Sequence, residues 1–318
     1  TKKGEEGNVY TSVRYEAIAS MPTRKIDVVD PKTYMRMYNQ ALLTRNPSAM
    51  PQYSVERIER TGSPNYPSWV YPANDWYKIM FKDYSVNHHM GLNLRGGSQR
   101  MQYYSSLNWN HDEGMLKTDR LNQFDCNIKN NTFVFRTNLN IDLTTGIRLF
   151  INTAASYDTY HGPHVDMTDA YYQAFNATPV DFAPTYPGDE AYSWPHIRFG
   201  AVNLQSVNPY MSLHEGYVER ERYSATIRAE YIHDLSSVLK GLELRGSMSL
   251  NKEGFFSNPY TTEPFRYRLS DYDFETGEHE LSVVREGKRT LTYNTMSTKR
   301  ASTQSTQISY EVRGLHTA

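Results

Sequence analysis

Phe133-Val134-Phe135-Arg136-Thr137-Asn138-Leu139-Asn140-Ile141-Asp142-Leu143 is followed at once by Thr144-Thr145-Gly146 and then by Ile147-Arg148-Leu149-Phe150-Ile151-Asn152-Thr153-Ala154-Ala155-Ser156-Tyr157. Odd positions are mostly apolar or aromatic, while the even ones carry arginine, asparagine, aspartate and serine. That is the period of a β-strand with two unlike faces. The short Thr-Thr-Gly break reads as a hairpin turn. Working outward, Tyr84–Arg95 and Met101–Asn110 repeat the pattern around Gly96-Gly97-Ser98. So do Tyr223–Ile232 and Leu242–Asn251, and Val9–Ala17 near the start; Leu291–Thr295 and Gln304–Val312 are weaker instances. About eight or nine strands are expected, each about 10–14 residues long, against a usual five or six.

The connections decide between architectures. Those around 95–100, 144–146 and 234–241 are short, whereas 20–83, 113–131, 159–217 and 255–280 are long. Short and long connections taking turns imply minimal turns at one end of the strands and elaborate loops at the other. An antiparallel transmembrane β-barrel has that asymmetry, and its wall needs only every second residue to be apolar. A soluble antiparallel sandwich also alternates. Its solvent face would not be as consistently charged and amide-rich as Arg136, Asn138, Asn140 and Asp142.

Composition agrees. The 318 residues carry 34 Lys plus Arg against 35 Asp plus Glu, a formal net charge of −1 that gives no reason to expect nucleic acid as a partner. A mean hydropathy of −0.70, with no run of about 18 apolar residues, excludes helical membrane spans. Tyr 26, Phe 12 and Trp 4 make an aromatic content of 13%, and tyrosine suits both strands and an apolar–aqueous boundary. Cys126 is the single cysteine, which excludes an internal disulfide framework. The ends, Thr1-Lys2-Lys3-Gly4 and Leu315-His316-Thr317-Ala318, read as those of an internal piece.

Three helices are expected within the loops. Asp30-Pro31 is a good cap and first-turn pair for a helix through about Thr44, Ser54–Arg60 forms a second, and Thr168–Ala177 a third.

Several segments resemble, in order, the SusC/RagA-like TonB-dependent outer-membrane transporters. They are Thr1-Lys2-Lys3-Gly4 before the strand Val9–Ala17, the helix at Asp30–Leu43, Asn74-Asp75-Trp76-Tyr77 with Met80-Phe81, and Leu94-Arg95-Gly96-Gly97-Ser98. Tyr103-Tyr104-Ser105-Ser106-Leu107, Glu113-Gly114, Asn208-Pro209 and Gly241-Leu242-Glu243-Leu244-Arg245-Gly246 follow. The resemblance implies that residues 1–7 are the end of a plug or linker and 8–318 the N-terminal portion of a barrel of about 22 strands. It further implies non-catalytic import of glycan fragments or peptides across a Bacteroidetes-like outer membrane. The implied partners are a SusD-like surface lipoprotein, TonB acting through segments upstream, the outer-membrane lipid, and an oligosaccharide or peptide ligand. The alternative is a soluble or surface β-rich carbohydrate-binding module without transport.

Enzyme chemistry finds little support, since no Gly-x-Ser-x-Gly elbow, HExxH or P-loop occurs and no motif requires a cofactor. Asp158, His161, His164 and Asp166 are the densest candidate metal ligands. A solvated loop mouth is the preferred reading of these four, and no metal is expected. His88 and His89 are neighbours on a strand and face opposite sides, which argues against joint ligation. Tyr171, Tyr172, Tyr186, Tyr192 and Trp194 could stack on sugar rings or pack the loop on itself; packing is the preferred reading. Arg14, Arg136, Arg148, Arg228 and Arg245, with Glu16, Asp142, Glu230 and Glu243, are expected on the polar face, as a hydrated wall or as contacts for a plug or solute.

Overall fold

The computed structural model describes residues 6–24, 26–117, 124–188, 196–293, 295 and 298–314. The expected plug junction at Thr1–Gly4, and Tyr192 and Trp194, lie outside the described residues.

One antiparallel sheet dominates. In chain order its strands are β1 (Gly7–Ser20), β2 (Ser85–Gly97), β3 (Met101–Glu113), β4 (Lys129–Thr144) and β5 (Ile147–Pro163). Two short strands, β6 (Thr185–Tyr186) and β7 (Arg198–Gly200), intervene before β8 (Gly216–Asp234) and β9 (Glu243–Glu263). Then come β10 (Arg266–Tyr272), β11 (His279–Arg285), β12 (Lys288–Tyr293) and β13 (Lys299–Arg313). The large sheet runs β1-β2-β3-β4-β5-β8-β9, and β12 and β13 follow one another along the far side of β9. The two weak C-terminal candidates are therefore successive pieces of one edge. The β4–β5 hairpin forms in the register the alternation demands, with Leu139 opposite Ile151 and Ile141 opposite Leu149.

The strands are longer than expected. β2 and β3 have 13 residues, but β8 has 19 and β9 has 21. About 9–11 tilted residues cross a bilayer, so the surplus projects at the long-loop end.

The faces sort as the alternation requires. Val13, Leu92, Leu107, Phe135, Ala155 and Ala225 follow one another in register across six strands, and Ala229, Met248 and Ile308 do so farther along. These side chains meet no second layer: Leu107 and Ile227 are each 46% exposed and Ile308 73%. The whole chain has 20430 Å² of accessible surface, where a compact soluble protein of 36.9 kDa has about 13,600 Å². A self-contained sandwich does not keep its apolar face this open.

The apolar band also moves in a regular way. It spans Val9–Ala19 on β1, Phe133–Leu143 on β4, Leu244–Leu250 on β9 and Ile308–Val312 on β13. Traced through the pairings, its centre slips toward the tight-turn end by roughly one residue per strand. With a rise of ~3.3 Å and a strand spacing of ~4.8 Å, a level band therefore needs strands tilted by roughly 35°, the tilt of a membrane barrel. Rings close the band at its outer side. Trp109, Phe133, Tyr157 and Tyr223 occupy one register row, and Tyr15, His88 and His111 stack beside them. Four residues farther along the same face the row reads Glu113, Lys129, His161, Glu219. Apolar gives way to charged across the aromatic row, as at a membrane–water boundary. Tyr223 also lies over Gly254 on the neighbouring strand, where any added Cβ would clash with its ring.

No helix among the described residues is long and apolar enough to cross a membrane. The helices lie in the loops: α1 (Pro31–Arg45), α2 (Val55–Arg60), α3 (Trp76–Met80), α4 (Met167–Asn176) and α5 (Pro209–Leu213). The buried core is there too, in three clusters built almost wholly from loop residues.

Candidate functional site

Local capping starts the loop helices. Asp30 accepts from the Lys32 and Thr33 amides at 3.1 Å each, Ser54 from Arg57 at 3.1 Å, and Asp166 from Thr168 at 2.8 Å. The motif residues Asp75 and Asn208 cap α3 and α5, accepting from Lys78 at 3.0 Å and Met211 at 3.2 Å. Asn208 also donates to the Pro184 and Gly200 carbonyls at 2.9 and 3.0 Å, and is 1% exposed. Asn208→Ala would therefore take the side-chain donor from the buried Gly200 carbonyl, leave Pro184 with only the Gly200 amide, and uncap α5. A loss of about 2–3 kcal/mol from the loops is expected, read as faster amide exchange in residues 184–188 and 198–213.

Packing then joins the long connections into one body. The 178–182 segment holds the first: Trp76 Nε1 donates to the Thr178 carbonyl at 2.9 Å, the Asn74 amide to Pro179 at 2.8 Å, and Arg57 to Val180 at 2.7 Å. The Tyr53 hydroxyl donates to Asp181 at 3.0 Å. Burial and the Asp181 carboxylate push the Tyr53 phenol far above its ordinary range, so it remains a donor. The 114–128 connection joins through paired backbone bonds, Lys82 to Met115 and Lys117 to Met80, with Leu116 in the core. The last connection carries the β10–β11 hairpin, unforeseen from the sequence, and β10 pairs in parallel with β7. Trp76, Met80, Leu116, Phe182, Phe199 and Leu213 share the largest core.

The inner face of the wall below is polar and knitted across strands. Tyr104 donates to Asn93 at 2.8 Å and Thr226 to Asn251 at 2.8 Å, while Ser156 and Ser224 meet at 2.9 Å. Among the expected charges, Arg14 pairs with Glu16, Arg228 lies 3.9 Å from Glu230, and Arg148 and Arg245 converge on Glu243. Arg136 and Asp142 share this face.

The four histidine and aspartate candidates are not brought together. Asp158 accepts from Thr132 at 2.7 Å, and His161 Nε2 sits 2.7 Å from the Asp125 carbonyl with its ring against Tyr217. Asp166 caps α4, and burial lowers the pKa of His164. Among the described residues no group of three or more His, Cys, Asp or Glu is placed to hold a metal.

Of the loop aromatics, Tyr171 packs against Tyr77, Phe81 and Phe175, and Tyr186 is buried beside Trp69. Tyr172 is 66% exposed and borders a cavity of about 400 Å³ with Asp181 and Phe182 in its wall. The sequence reading missed Tyr66, Trp69 and Tyr71, which border a larger cavity of about 860 Å³ with Tyr186. The signal was present in the dense run Tyr66-Pro67-Ser68-Trp69-Val70-Tyr71-Pro72.

Comparison with known proteins bears on this arrangement. No family model matches the chain. A stretch of 94 residues, 30% of the chain, is 30% identical to TonB-dependent receptor P26 of Formosa agariphila and amounts to 8% of that receptor. A chain of the RagAB peptide importer in its open-open state superposes on 83% of this chain with a TM-score of 0.54 at 15% identity. The chain has the fold of a SusC/RagA-like barrel segment. The RagAB peptide transporter gives the same TM-score of 0.54 at 16% identity over 83% of the chain. The chain spans 30% of the length of each RagAB chain, so the SusC/RagA-like resemblance extends over a part of those molecules. By their names, these two are a receptor and a peptide importer.

The caps give this loop body a pH dependence. Threonine and backbone hydrogen bonds hold the Asp30 and Asp166 carboxyls below their ordinary range, and at Asp75 bonds from Lys78 outweigh the opposing effect of burial. Carboxyls depressed on folding stabilise fully above the unfolded value, about 3.9, and lose that contribution as pH falls through their folded values. Glu215 has the opposite sign: burial raises it against the pull of Arg266 and Arg285. Its contribution is full below about 4.3 and is lost as pH rises through its folded value. Amide protection factors in α1, α3 and α4 should therefore fall as pH drops below the unfolded carboxylate value of about 3.9, while β4 and β5 stay protected. Unchanged protection in those helices between pH 5 and 2.5 would contradict the assignment.

Proposed function

We propose that this chain forms part of the barrel wall and outer loops of an outer-membrane importer that takes up glycan fragments or peptides and is energised through TonB. Residues 1–7 then end a plug or linker, and residues 8–318 are the N-terminal portion of the barrel. The observation that carries the reading is the exposed apolar band, level only on strands tilted by roughly 35° and closed by an aromatic row. The similarity to a TonB-dependent receptor and to the RagAB peptide importer supports it. On this reading the loop body is the outward mouth, a SusD-like lipoprotein covers it, and the polar inner wall faces a plug and the passing solute. Nothing covalent happens; capture is followed by rearrangement of the plug. The host would be a Bacteroidetes-like Gram-negative cell.

Fractionation of the native protein, followed by uptake assays in cells lacking it, tests this. It should sediment with outer membranes and need detergent for release, and its loss should abolish uptake of a particular oligomeric solute. Release by buffer alone would instead favour a soluble carbohydrate-binding module.

A further inference from the structure

Of the two loop cavities described above, the larger has an unusual wall. Tyr66, Trp69, Tyr71 and Tyr186 supply rings, while Ser63, Ser68, Asn74 and Thr185 supply hydroxyls and an amide. No Asp, Glu, Lys, Arg or His is among the described residues lining it. At about 860 Å³ it lies within the usual range for small-ligand sites.

The rings are held firmly. Trp69 packs nearly edge-to-face on Tyr272 at 5.2 Å and on Tyr186 at 6.4 Å, and Tyr66 meets Tyr71 at 5.5 Å. Arg60 braces Tyr66 and Tyr71, with its guanidinium 5.0 and 5.7 Å from their ring centres and donating to the Tyr71 hydroxyl at 3.0 Å, and Glu56 pairs its charge. Pro64, Pro184 and Pro187 stiffen the backbone around the opening. Such a wall loses little conformational freedom when a ligand settles on it.

We propose that this cavity is a binding site for a neutral oligosaccharide. Pyranose rings present C–H faces that stack on aromatic rings and a rim of hydroxyls that pairs with serine, threonine and asparagine. A peptide brings charged termini and often charged side chains, which the described lining leaves unpaired at a cost. The smaller cavity, with Asp181 in its wall, lacks that neutrality. The site rests on the import reading for its physiological role and narrows the solute from glycan or peptide to glycan.

Calorimetry on the full-length, detergent-purified protein tests it. The probes are neutral hexasaccharides of glucose, xylose and mannose, a decapeptide, and hexagalacturonate as an anionic sugar. At least one neutral hexasaccharide should bind, and Trp69→Ala should weaken it by about tenfold or more. Trp69 also packs in the loop core, so Ser68→Trp, at an exposed rim position, provides a filling variant that removes no core contact. It should weaken binding equally, while Trp69→Phe should stay within about threefold. Binding of no neutral hexasaccharide, tighter binding of the peptide or of hexagalacturonate, or indifference to Ser68→Trp would each overturn the proposal. The import reading stands or falls separately, on fractionation and uptake.

Discussion

Met248→Arg is expected to cost about 2–4 kcal/mol and to deplete the protein from the outer membrane, while Ser247→Arg, one residue earlier, should leave its level near normal. Both positions lie on β9. Met248 is outward, opposite Ala229 and Ile308, near the middle of the apolar band. An arginine there must sit in hydrocarbon or drag its head to a distant interface. Ser247 is inward, opposite Glu230 and Ser309, where a cation gains a carboxylate neighbour and stays hydrated. The Ser247–Ser309 hydrogen bond of 2.7 Å is lost, but an exposed pair contributes little. Immunoblots of outer-membrane fractions read the contrast. Equal levels of the two variants would mean that the outward face does not meet lipid.

Leu213→Ala should separate the two halves of the molecule. Leu213 is fully buried at the end of α5 in the largest loop cluster, so its truncation should destabilise the loop body by about 2–5 kcal/mol. The wall does not draw on that cluster for its strand pairing. The variant should therefore reach the outer membrane in normal amount, yet be cut in the loops by proteases added to intact cells, and import poorly. If the wall were lost as well, the loop body would have to be part of what folds the barrel.

What could be read beforehand follows from the range of the forces involved. Phe133–Tyr157 announces its hairpin because an apolar setting on one face and a polar one on the other impose a binary choice at every residue. Asp30-Pro31 and Ser54 announce α1 and α2 because a cap acts across three residues. The β10–β11 hairpin gave no such notice. Arg266-Tyr267-Arg268-Leu269-Ser270-Asp271-Tyr272 lies in the aqueous loops, and its place is set by pairing with Phe199 and Gly200 far earlier in the chain. Helices α3 and α5, five residues each, are too short to show a period and betray themselves only through Asp75 and Asn208. The aromatic cavity was half legible, since Tyr66, Trp69 and Tyr71 are adjacent in sequence but Tyr186 reaches them only through the fold.

The stretch from Thr178 to Phe182 acts as the keystone of the mouth. The first connection hangs on it through Arg57, Asn74 and Trp76, and Phe182 beds it in the core shared by the first three connections. A tug on any one of those three is thus shared among them. On the import reading, the described loops lift as a single slab, or the solute finds its way around a fixed one.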